Sequence, residues 1–63
     1  MTKLKQAREA AGMSQAQLAK ASGVNVRIIQ HYEQEFRDIN QAAAMTVRKL
    51  AKALHVRMED LLE

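Results

Sequence analysis

Residues 14 to 34 hold the side chains of this chain that are best placed to do chemistry. Asn25, Arg27, Gln30 and His31 can all form hydrogen bonds, and Val26 lies among them. On a helix, Arg27 and His31 share a face because they are four residues apart, and so do Val26 and Gln30. Ile29 and Tyr32 fall on the opposite side and would anchor such a helix inward. Just before it, Gly23 can take the positive φ of a tight turn. Ala19 is small enough to let two helices cross closely, and Leu18 and Val24 complete an apolar corner. Two short helices around such a turn hold the second one out toward a partner, and the major groove of DNA admits a helix presented in this way. The chemistry on offer is recognition rather than catalysis. There is no phosphate-cradling glycine loop, no nucleophile placed beside a base and no metal-ligand spacing. His31 and His55 lie on different helices and the chain has no Cys, so no metal or cofactor is expected.

The elements that must position this face can be read from periodicity and caps. A helix is predicted from about Lys3 to Ala11, with Leu4, Ala7 and Ala11 at helical spacing and Gly12 as a left-handed cap. Ser14 is an N-cap for a helix over Gln15 to Ser22. Asn25 does the same for a helix over Val26 to Gln34. Residues 35 to 40 read as a loop. A further helix begins near Asn40 to Ala43 and runs to Leu54, with Val47, Leu50, Ala51 and Leu54 as its apolar stripe. A last short helix is predicted over Met58 to Leu62. The expected fold class is all-α, a compact five-helix domain spanning residues 1–63.

The bulk properties agree. With 63 residues there is room for one small core and no disulfide to staple it. The absence of Pro and the presence of only two Gly favour helices. Only Tyr32 and Phe36 are aromatic, which argues against a stacking platform for single strands. Residues 1 to 58 carry ten cations against four acids, whereas Glu59, Asp60 and Glu63 crowd the end. A basic body suits a polyanion, although solubilising charge would look the same. With no long apolar run and no signal-peptide pattern, the expected location is the cytoplasm, with no membrane partner.

The chain resembles the lambda-repressor/Cro-like (Xre-type) helix-turn-helix family. Ser14-Gln15, Leu18-Ala19, Gly23-Val24, Ile29 and Glu33 carry the likeness, with the run Lys49-Leu50-Ala51-Lys52-Ala53-Leu54 and the closing Glu59-Asp60-Leu61-Leu62. The resemblance implies a bacterial or phage regulator that binds double-stranded operator DNA as a homodimer. It implies base contacts from Asn25, Val26, Arg27, Gln30 and His31, with Arg27 suited to guanine and Val26 to a thymine methyl. It implies backbone contacts from Gln15, Gln17 and Arg37, the first helped by the helix N-terminus. Arg8 and Glu33 stand where the family often pairs its first and third helices, and are read as structural. Met58, Leu61 and Leu62 either close the core or serve a dimer.

The chain also departs from the family. Glu35 and His55 occupy positions where many relatives have glycine, and Ile28 stands where Thr or Ser is common. An alternative function is therefore a protein-interaction or antitoxin-like module, with Val26, Ile28 and Phe36 forming an apolar patch.

Overall fold

Side-chain caps start three of the four α-helices in the computed structural model, which describes residues 1–63. Helix α1 covers Lys3–Ala10, and the Thr2 hydroxyl accepts the Lys5 N–H at its start. Helix α2 covers Gln15–Ser22 behind a complete capping box. The Ser14 hydroxyl accepts the Gln17 N–H, and the Gln17 carboxamide oxygen accepts the Ser14 N–H. Helix α3 covers Val26–Glu33, and the Asn25 carboxamide oxygen accepts the Arg27 N–H at 2.7 Å. Helix α4 covers Ala44–Leu54 and starts at Ala43 without a side-chain cap.

Two elements differ from the expected five helices. The segment expected as a fifth helix is a single 3-10 turn, Met58–Asp60. Its backbone closes only through the Asp60 N–H to the Arg57 carbonyl and the Leu61 N–H to the Met58 carbonyl. The turn stops there because Leu61 is pulled fully into the core and Glu63 is engaged by Asn40. So short a segment cannot repay the cost of starting an α-helix. The Asp60 carboxyl is held below its ordinary pKa, first by the Arg57 backbone N–H and then by its guanidinium. The second difference is a 3-10 turn over Ile39–Gln41, where Asp38 accepts the Asn40 N–H and Ile39 is buried. Helix α4 consequently begins later than expected.

The core is one cluster of eleven buried apolar residues. Leu4, Leu18, Ile29, Leu50 and Leu61 are almost wholly enclosed, and each contributes on the order of 1.5–3 kcal/mol by leaving water. Helix α2 packs against both α3 and α4, while α1 leans on α3. Leu61 therefore belongs to the core, Met58 packs on its edge, and Leu62 stays exposed. Ile28 also packs against the core.

Four residues take left-handed backbone: Gly12, Gly23, Glu35 and His55. At Gly23 (φ 76°) the requirement is conformational and not spatial, since a Cβ there would meet no atom within 4 Å. Glu35 (φ 62°) and His55 (φ 58°) adopt the same geometry with a side chain attached. The departure from glycine noted in the sequence thus leaves the turns in place and costs conformational energy at both.

One polar cluster ties the helices together. The Arg8 guanidinium donates to both carboxylate oxygens of Glu33, at 2.6 and 3.0 Å, and to the Met13 carbonyl at 2.8 Å. The Gln15 amide donates to the same carboxylate at 3.0 Å. The Glu33 side chain is 2% exposed and that of Arg8 11%, so water screens the pair little. The hydrogen bond to Glu33 is the main cause that raises the Arg8 pKa above its usual value.

Glu33→Ala should lower stability by about 3–5 kcal/mol, because it strands the Arg8 charge and the Gln15 amide. Urea unfolding measures this, and a loss below about 1 kcal/mol, the range of an exposed pair, would contradict the assigned role. Conversely, Glu35→Gly and His55→Gly should each stabilise by about 1 kcal/mol through relief of the left-handed penalty. In a chain of this size that is a rise of about 4–8 °C in Tm, and a fall in Tm at either site would refute the strain assigned to it.

Candidate nucleic-acid interface

The Gly23 turn and the Asn25 cap fix where α3 begins, and the burial of Ile29, Tyr32 and Glu33 fixes how it is rolled. With those three side chains inward, Asn25, Val26 and Arg27 are exposed, and Gln30 and His31 are half-buried on the outward side. The five residues expected to contact bases are thus brought together along one helical face. Asn25 uses its carboxamide oxygen for the cap, which leaves its amide nitrogen free.

The residues expected at the DNA backbone are less uniform. Gln17 lies exposed beside the start of α2, its oxygen used in the capping box and its amide nitrogen unengaged. Gln15 is half-buried and gives an amide hydrogen to Glu33, so it serves the core cluster as well as the surface. Its second amide hydrogen and its backbone N–H, one of the orphan donors of the α2 terminus, remain for an anion. Arg37 is exposed in the loop after α3, and its backbone N–H donates to the His31 carbonyl at 3.2 Å.

Charge favours the same face. The ion pairs in the structure are Arg8 with Glu33 and Arg57 with Glu59 and Asp60. Arg27 and Arg37 are outside them, so the permanently charged guanidinium of Arg27 stands on the outward side of α3 without an ion-pair partner, while Arg37 lies in the loop near Tyr32, Glu35 and Asp38. Arg48, Lys49 and Lys52 make a second exposed basic strip on α4.

The structure decides two further points in this region, the setting of Phe36 and whether Ile28 packs inward or stands exposed. Phe36 is 75% exposed, and its ring meets that of His31 edge-on, with centroids 6.0 Å apart. The apolar patch considered for a protein partner is also broken up. Ile28 turns onto the core, which leaves Val26 and Phe36 as its exposed members.

No helix is long and apolar enough to cross a membrane. Comparison with curated proteins and with solved structures finds no match. A family model described as helix-turn-helix matches residues 4–61. A match of that extent, over a fold that sets α3 outward beyond the Gly23 turn, makes this chain a member of the Cro/C1-type, Xre-like helix-turn-helix family of DNA-binding regulators.

Proposed function

We propose that this chain is a sequence-specific reader of double-stranded DNA that acts as a transcriptional regulator, with residues 1–63 working as one helix-turn-helix domain. The observation that carries this reading is the outward face of α3, where Arg27 stands exposed and unpaired among Asn25, Val26, Gln30 and His31. In the major groove the Arg27 fork matches guanine O6 and N7, Asn25 and Gln30 offer amides to base edges, and Val26 suits a thymine methyl. His31, one turn beyond Arg27, faces the next base step. Gln15, Gln17 and Arg37 hold the phosphates on either side, Gln15 with the donors that Glu33 leaves free.

A single copy covers little DNA, so the functional unit is a homodimer on a palindromic operator, with half-sites about 34 Å apart. Leu62, exposed next to the buried Leu61, is the apolar residue of the C-terminal segment open to a second copy. Repression by occupancy of the operator, in the cytoplasm of a bacterial host, is the simplest mode for a chain whose surface offers one recognition face.

Selection from a pool of random duplexes, at two salt concentrations, tests the proposal. It should enrich a palindrome whose affinity falls steeply with salt. Weak, unselective binding would contradict it. Arg27→Ala should weaken binding to the selected duplex by about 1–3 kcal/mol and relax preference at one base position, which a repeated selection would register. An unchanged base preference would remove Arg27 from its assigned role.

A further inference from the structure

A lone exposed phenylalanine is ordinary on a protein surface. Phe36 is set apart by how it is held. The left-handed Glu35 turns the chain at the end of α3, so that the Phe36 and Arg37 N–H groups both donate to the His31 carbonyl, at 2.8 and 3.2 Å. That turn is kept in a residue that carries a Cβ, where the left-handed conformation is disfavoured. Its consequence is to lay the Phe36 ring against His31 at an interplanar angle of 66°, with 75% of the residue still open. The ring therefore extends the outward face of α3 by direct contact with one of its members. The next residue, Arg37, is an exposed cation without a carboxylate partner.

Resting on the DNA reading above, we propose that Phe36 is a further DNA-contacting residue. Its ring packs on the apolar carbon surface of a nucleotide, a thymine 5-methyl or a deoxyribose, beside the base that His31 faces. A flat hydrocarbon ring can do this in water-accessible groove edges, where apolar contact to a thymine methyl is a recognised means of readout. The unpaired Arg27 cation on the same face suits a polyanion, and Arg37 follows Phe36 in the loop. The loop also carries two carboxylates, Glu35 and Asp38, the second of which accepts the Asn40 N–H. A protein partner fits less well, because with Ile28 on the core the apolar surface here is Val26 and Phe36, much smaller than a stable protein interface.

The test is equilibrium binding of the intact chain to a selected duplex over a range of salt, followed by fluorescence anisotropy. Wild type, Phe36→Ala and Arg37→Ala are compared, and individual thymines are replaced by deoxyuridine. Phe36→Ala should bind about five- to tenfold more weakly, as expected for loss of a ring covered on one face only, with the wild-type melting curve and an unchanged salt slope. Arg37→Ala should instead reduce that slope by about one. If deoxyuridine at one position weakens wild type about fourfold and leaves Phe36→Ala unaffected, the thymine methyl is the partner; if Phe36→Ala is weak and no single methyl matters, it is the sugar. Both outcomes uphold the contact. Phe36→Ala binding as tightly as wild type would overturn it. A Phe36→Ala loss accompanied by a reduced salt slope would also overturn it, since the ring would then only position Arg37. Wild type that shows no salt-dependent anisotropy with any duplex would overturn the DNA reading itself, a failure distinct from either of these.

Discussion

The buried pair between Arg8 and Glu33 is the constraint on which the rest of this small fold depends. One carboxylate near the end of α3 receives the Arg8 guanidinium from α1 and the Gln15 amide from α2, while the same guanidinium closes onto the Met13 carbonyl. Charges withdrawn from water are expensive, and a bidentate geometry in which each guanidinium nitrogen and both carboxylate oxygens have a partner is what makes the burial tolerable. No buried side-chain nitrogen or oxygen is left without a partner. Apolar packing alone can slide, but these directional bonds fix how α3 is rolled about its own axis. Because Glu33 and Tyr32 are turned inward, Arg27 and His31 are turned outward. The presentation of the outward face of α3 and the satisfaction of the buried charges are the same geometric fact.

Much of this was legible from the chain because the signals are local. Ser14 and Asn25 cap their helices through bonds spanning two or three residues, and such bonds follow from residue type and spacing. The stripe Val47, Leu50, Ala51 and Leu54 is periodic, and it is buried as predicted. The family likeness supplied the pairing of Arg8 with Glu33. Contacts between remote residues were not legible. The Asn40 side chain exchanges two hydrogen bonds with the backbone of Glu63, and the Glu63 carboxylate accepts the Lys3 N–H at the head of α1. These contacts join both ends of the chain to the 3-10 turn at Ile39–Gln41, and no periodicity encodes them. The same limit applies at the site. The sequence placed Gln15 at the surface for a phosphate, and it could not reveal that Glu33 would share its amide.

The left-handed residues were signalled in two ways, by glycine itself and, at Glu35 and His55, by the family's glycine positions. Glycine marks such a turn in a sequence, so Gly12 and Gly23 were evident. Glu35 and His55 fold into the same geometry because the helix-ending hydrogen bonds outweigh a penalty on the order of 1–2 kcal/mol at each. At Glu35 that turn lays the Phe36 ring against His31 on the outward side of α3. The Phe36 and Arg37 backbone N–H groups are both held by a single carbonyl, that of His31.

The central claim is that the side of α3 opposite Ile29 and Tyr32, with the N-terminal turn of α2 and the loop after α3, is the surface that engages DNA. Titration of the 15N-labelled chain with duplex DNA at low salt tests this directly, through the amide resonances. The account predicts its largest shifts at residues 14–17, 25–31 and 36–37, with the remainder of the core and the basic strip of α4 little changed. Shifts confined to the basic strip of Arg48, Lys49 and Lys52, or to Met58 through Leu62, would contradict it.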